Sequence, residues 1–118
     1  MKLEVGMYVR TKYNGIFNIQ VLKKIKDINC DYIEINYINY PRNELLKASH
    51  NIIDLIEVGD YVNGCKVDNI NYDLDYEEDI VESITICDYS MLIKDVLHND
   101  EIKSIVTKEQ FESMSYKI

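Results

Sequence analysis

The stretch Leu3-Glu4-Val5-Gly6-Met7-Tyr8-Val9 returns almost unchanged as Ile56-Glu57-Val58-Gly59-Asp60-Tyr61-Val62. A chain that starts twice in this way is constrained to build two related units. Each copy leads through apolar residues to a Gly suited to a positive-φ turn, and a Tyr-Val pair with strand propensity follows at once. A second glycine comes after each copy, in Asn14-Gly15 and in Asn63-Gly64, where Asn-Gly between apolar runs marks a hairpin. The expected fold class is all-β: two small SH3-like or related β modules, residues 1–56 and 57–118, with a short C-terminal helix. At 118 residues the chain is long enough to bury roughly two-thirds of its extended surface without covalent staples.

Within the first module the pattern predicts a strand over Met7–Lys12 and a long, bulged strand over Gly15–Asp27. It also predicts one alternating strand over Asp31–Tyr40, a single helical turn over Arg42–Lys47 after Pro41, and a closing strand over Asn51–Ile56. The second module should open at Val58–Val62, turn at Asn63-Gly64 and continue through Lys66–Ile70. Further strands are expected over Ile80–Ile86 and Ile102–Val106, while Ser90–Val96 is compatible with strand or helical turn. Thr107-Lys108-Glu109-Gln110 fits a capping box, which places a short helix near Lys108–Ser113 carrying Phe111 and Met114.

The net charge of −8 is unevenly spread. Residues 1–56 carry eight Lys/Arg and six Asp/Glu, giving +2, whereas residues 57–118 carry five and fifteen, giving −10. An acidic surface disfavours direct nucleic-acid binding, where affinity comes mainly from Lys and Arg on phosphates, and suits a basic partner. No apolar run approaches the roughly 18 residues of a membrane span, and no secretory signal is recognisable, so a cytoplasmic location is expected. Asn, Ile, Lys and Tyr are abundant while Ala and Pro occur once each, at Ala48 and Pro41, as in AT-rich coding sequence.

The densest chemical constellation is the run 71–82, in which six of twelve residues are acidic. Asn71, Asp73, Asp75 and Glu82 have the spacing of the first, third, fifth and twelfth positions of a calcium loop. Tyr76 stands where that loop needs Gly, however, and Glu78 where it needs an apolar residue. The plain reading is a solvated loop. The sharper one is a docking face for a basic protein, built from Tyr72, Asp73, Asp75, Tyr76, Glu77, Glu78, Asp79 and Glu82, with the tyrosines adding amphipathic contact area. Cys30, Cys65 and Cys87 form no C-x-x-C pair, and His50 and His98 stand in no triad or metal spacing. No cofactor, metal or catalytic residue is expected. Tyrosines interleaved with cations in the first module, notably Tyr8, Arg10, Tyr13 and Arg42, offer a second reading as a site that stacks a base and holds a phosphate.

Three segments carry a resemblance: residues 1–12, residues 47–64 with Asn51-Ile52-Ile53-Asp54-Leu55-Ile56-Glu57-Val58-Gly59-Asp60-Tyr61-Val62-Asn63-Gly64, and Ile102–Glu112. They look like small proteins encoded by Clostridium phages and prophages. The resemblance implies a phage accessory gene working in the host cytoplasm, and such genes often antagonise bacterial immunity. The function this implies is an inhibitor of anti-phage immunity, resembling anti-CRISPR proteins, that binds the basic surface of a host defence protein stoichiometrically. The alternative is a sponge that sequesters a cyclic-nucleotide or ADP-ribose-type second messenger, with its pocket at an oligomer interface. A nucleic-acid-binding or structural accessory role is a third reading.

Overall fold

The computed structural model describes residues 2–24, 32–75, 80–88 and 93–114. It is mostly β, with one short helix near the C-terminus. Three antiparallel sheets are formed. The first orders as β2 (Ile16–Asn18), β1 (Tyr8–Thr11) and β6 (Leu45–Ser49), and the second as β3 (Leu22–Lys24), β4 (Tyr32–Ile35) and β5 (Ile38–Pro41). The third runs β10 (Ile93–Leu97), β9 (Val81–Asp88), β8 (Cys65–Tyr72), β7 (Tyr61–Val62) and β11 (Ile105–Val106).

The sequence repeat is a structural repeat. Met7 N–H donates to the Glu4 carbonyl at 3.2 Å, and Asp60 N–H to the Glu57 carbonyl at 3.1 Å, closing two turns with Gly6 at φ 94° and Gly59 at φ 99°. Positive φ at the third turn position is the type II geometry that glycine adopts without steric cost. The return strands dock alike: Gly6 donates to Ile19 and Ile19 to Met7, as Gly59 donates to Val67 and Val67 to Asp60. Val9 and Val62 are then both fully buried. They do not share a core. Val9 packs with Ile19, Ile33, Ile35, Tyr40 and Leu45, whereas Val62 packs with Val67, Ile84, Ile86 and Leu97. Each such side chain contributes about 1.5–3 kcal/mol on burial. Ile53 and Ile56, which precede residue 57, pack in the second of these clusters.

Four elements differ from expectation. The long strand over Gly15–Asp27 is broken at Ile19–Val21, so that β2 and β3 belong to different sheets; residues 25–27 lie outside the described residues. The alternating strand over Asp31–Tyr40 is a hairpin, folded at Asn36 (φ 51°) and Tyr37 (φ 69°) between the paired Ile35 and Ile38. One side chain causes both changes. Asn36 Oδ1 accepts the N–H groups of Gln20 and Val21 at 2.8 and 3.0 Å while Nδ2 donates to the Asn18 carbonyl at 2.7 Å. These bonds replace ladder partners where the chain leaves one sheet for the next. Third, the helical turn after Pro41 is only the 3₁₀ turn Arg42–Glu44, and β6 occupies the residues after it. Fourth, the strand expected over Asn51–Ile56 is a second 3₁₀ turn, Ile52–Leu55, which buries Ile53 and Leu55.

Ile93–Leu97 is strand, paired with β9 over its whole length; residues 89–92 lie outside the described residues. The C-terminal strand is short, limited to Ile105–Val106, with a 3₁₀ turn at Asn99–Glu101 before it. Helix α1 (Lys108–Met114) begins with the expected capping box: Gln110 N–H donates to Thr107 Oγ1 at 3.2 Å, and Thr107 N–H to Gln110 Oε1 at 3.1 Å. Seven residues are too few for an isolated helix to persist in water. Tertiary contacts hold it. Phe111 stacks on Tyr61 at 5.1 Å between centroids, and the polar groups of the first helical turn reach Arg10, Glu57 and Asp60. Among the described residues, no helix is long and apolar enough to cross a membrane.

Candidate interaction site at the β8–β9 hairpin

Strands β8 and β9 run side by side to the pair Tyr72 and Val81, and Asp73 N–H then donates to the Ile80 carbonyl at 2.7 Å. Asp73 and Ile80, within the acidic run, therefore continue the pairing of β8 with β9. Asp73 Oδ1 accepts the N–H of Asp75 at 3.0 Å, which turns the chain and leaves Leu74 94% exposed. Tyr72, Asp75, Ile80 and Glu82 are exposed beside it, and Asp73 is half-buried. Tyr76, Glu77, Glu78 and Asp79 lie outside the described residues. Acidic and apolar groups thus share this end of the two strands, where Tyr72, Leu74 and Ile80 are all exposed.

Asn71 is spent elsewhere. Its Nδ2 donates to Ser83 Oγ and Thr85 Oγ1 at 3.1 Å each, and its Oδ1 accepts from Asn69 at 2.8 Å. The amide that would open a calcium loop is thereby committed to a ladder across the two strands. Among the described residues no group of His, Cys, Asp and Glu is placed to hold a metal ion.

A groove of about 850 Å³ runs beside the hairpin, lined on one side by Ile70, Tyr72, Ile80, Val81 and Glu82. Lys47, Asn51, Ile53, Asp54, Ile56, Glu57, Val58 and Asn99 complete it. The sequence reading missed Asp54 and Glu57. No local signal marks them, because Asp54 sits in a 3₁₀ turn that reads in sequence as a closing strand and Glu57 in the repeated turn that follows it.

Glu57 joins the groove to a buried ion cluster. It lies 2.9 Å from Lys108 Nζ and 3.4 Å from Lys47 Nζ, with Oε2 3.3 Å from Arg10 Nε. Burial alone would raise its pKa, but the hydrogen bond from Lys108 and the charges of Arg10 and Lys47 hold the carboxyl below its ordinary range. Lys108 is correspondingly raised, chiefly by its hydrogen bond to Glu57.

Arg10, one of four residues proposed from sequence to hold a nucleotide, is at the centre of that cluster and fully buried. Its guanidinium bonds both oxygens of Asp60, the Leu55 carbonyl and Glu109 Oε2. Desolvation disfavours its charge, yet the bonds to Asp60 and Glu109 outweigh that and leave its pKa raised. It is not presented to a ligand. Tyr8 is half-buried, Tyr13 is exposed with Lys12 Nζ 5.5 Å from its ring centre, and Arg42 is exposed. None of the four lines the groove.

No family model matches the chain, and no curated protein and no solved structure is similar to it.

Proposed function

We propose that this chain is a phage- or prophage-encoded inhibitor of bacterial anti-phage immunity. It acts in the host cytoplasm as an SH3-like double module that binds a basic surface of a defence protein one to one, without catalysis. The observation that carries the reading is the end of the β8–β9 hairpin, where Tyr72, Leu74 and Ile80 are exposed among Asp75, Glu82 and the half-buried Asp73. Residues 57–101 hold thirteen acids against two lysines, a concentration that repels itself in the folded state and is offset by a basic partner. Exposed aromatic and aliphatic side chains inside a charged rim are what a protein interface uses for affinity, while the charge steers encounter. A nucleotide sponge receives less support, because Arg10 is turned inward among carboxylates.

The test is protection of phage plaquing in a host carrying the defence system. Changing Asp73, Asp75, Glu77, Glu78 and Asp79 together to Asn or Gln should abolish protection while thermal unfolding stays cooperative. Full protection by that variant, or release of a bound nucleotide from the denatured wild-type protein, would overturn the proposal.

A further inference from the structure

We propose that the groove between the 3₁₀ turn Ile52–Leu55 and the β8–β9 hairpin binds an extended peptide segment bearing a lysine or arginine. The inference rests on the binding function above and adds the form of the partner: a protruding chain segment enters the groove.

The first support is shape and lining. About 850 Å³ of concave space falls within the range of dedicated binding sites, and half-buried Ile70 and Val81 give it an apolar wall. A flat protein surface would leave that wall uncontacted, whereas a single extended segment reaches it. The second support is uncompensated charge. Glu57 is already paired with Arg10, Lys47 and Lys108, but Asp54 and Glu82 line the same groove and form no ion pair with any described residue. Among the described residues Asp54 accepts only the Ser49 hydroxyl, at 2.7 Å.

Lysine and arginine are the side chains that match both features. Their methylene stems lie along apolar surface while the cationic head reaches a carboxylate. Tyr72, 48% exposed at the same wall, adds an aromatic face for the cation. Phosphate-bearing ligands meet repulsion from Asp54, Glu57 and Glu82 against the single cation Lys47 in the lining, which disfavours a nucleotide as the occupant.

A random peptide library displayed on particles and selected on the intact chain tests this directly. Selected sequences should carry a Lys or Arg flanked by apolar residues. Binding of a labelled winner, measured by anisotropy, should weaken at least about tenfold when that Lys or Arg is changed to Gln, as expected for a lost charge-assisted hydrogen bond. Asp54→Asn combined with Glu82→Gln should weaken it equally. Asp73→Asn with Asp75→Asn, outside the groove, should change it by less than about threefold. Winners without a cationic bias, or binding indifferent to both the peptide substitution and the groove pair, would overturn the inference; the peptide substitution decides even where the groove pair fails to fold. The two proposals separate. Plaquing protection that survives Asp54→Asn with Glu82→Gln but not neutralisation of residues 73–79 overturns the groove alone. Intact peptide binding with protection unchanged after that neutralisation overturns docking through residues 73–79 alone.

Discussion

Arg10 and Asp60 stand fifty residues apart in the chain and meet with neither side chain exposed, Nη1 2.5 Å from Oδ2 and Nη2 2.8 Å from Oδ1. The same two carboxylate oxygens accept the N–H groups of Glu57, at 2.7 Å, and Lys108, at 2.9 Å. Asp60 therefore fills its acceptor sites with the first repeat, its own turn and the start of α1 at once. Arg10 Nε is the exception. It lies 3.3 Å from Glu57 Oε2 but off the hydrogen-bonding angle, and is the one buried side-chain polar atom among the described residues without a hydrogen bond.

Replacing Arg10 with Met should destabilise the fold by about 3–5 kcal/mol, because removing one partner leaves the opposing carboxylates buried and uncompensated. Urea unfolding followed by circular dichroism reads this out. A loss below about 1 kcal/mol would mean that the carboxylates find water when the arginine is gone.

Acid should weaken the protein in a defined window. Glu57 titrates below its ordinary 4.5 in the folded chain, so its contribution is complete above that value and is lost as the pH falls through the lowered folded pKa. Lys108 has the opposite sign: raised above 10.5, it contributes fully below that value and fades as the pH rises through the folded one. Melting temperature against pH should fall below about 4.5, and Glu57→Gln should flatten part of the acid limb.

Gly15→Ala should cost about 1–3 kcal/mol. Gly15 holds φ 75°, and a Cβ there would collide with the Gln110 side-chain amide. Relief requires the glutamine to leave, which opens the capping box of α1. Hydrogen exchange should show Lys108–Gln110 losing protection before the strands do.

Partner association should slow steeply as salt screens the acidic hairpin. Steering by clustered charge is worth on the order of 10–10³-fold in on-rate at low salt and is largely lost once the Debye length falls to about 8 Å. Stopped-flow association with the defence protein that the proposed function names as partner checks it. A rate indifferent to salt would remove the acidic run from the encounter.

Much of the β architecture is legible in the chain. The repeat, the Asn63-Gly64 turn and the Thr107–Gln110 cap each rest on a local rule, and local rules survive folding. Asn63 and Gly64 both hold positive φ, at 52° and 82°, as a two-residue hairpin demands. The Asn36-Tyr37 turn was hidden because tyrosine at a positive-φ position carries no turn signal of its own. What allows it is the Asn36 side chain bonded to Asn18, Gln20 and Val21, a contact no spacing announces. The acidity of residues 71–82 could be read from composition, but the groove beside Tyr72 and Val81 could not. Asp54 and Glu57 come to Val81 and Glu82 only through packing between distant parts of the chain.

The two turns differ where it matters most. Met7 occupies in the first turn the place that Asp60 holds in the second, and Asn63 occupies in the second the place of Arg10. The first unit therefore carries a plug and the second a socket. Two units of the first kind would offer two arginines and no receptor, and two of the second kind a receptor with nothing to fill it. Two positions, one in the seven-residue repeat and one just after it, thus make its copies non-interchangeable, one supplying the arginine and the other the carboxylate that receives it.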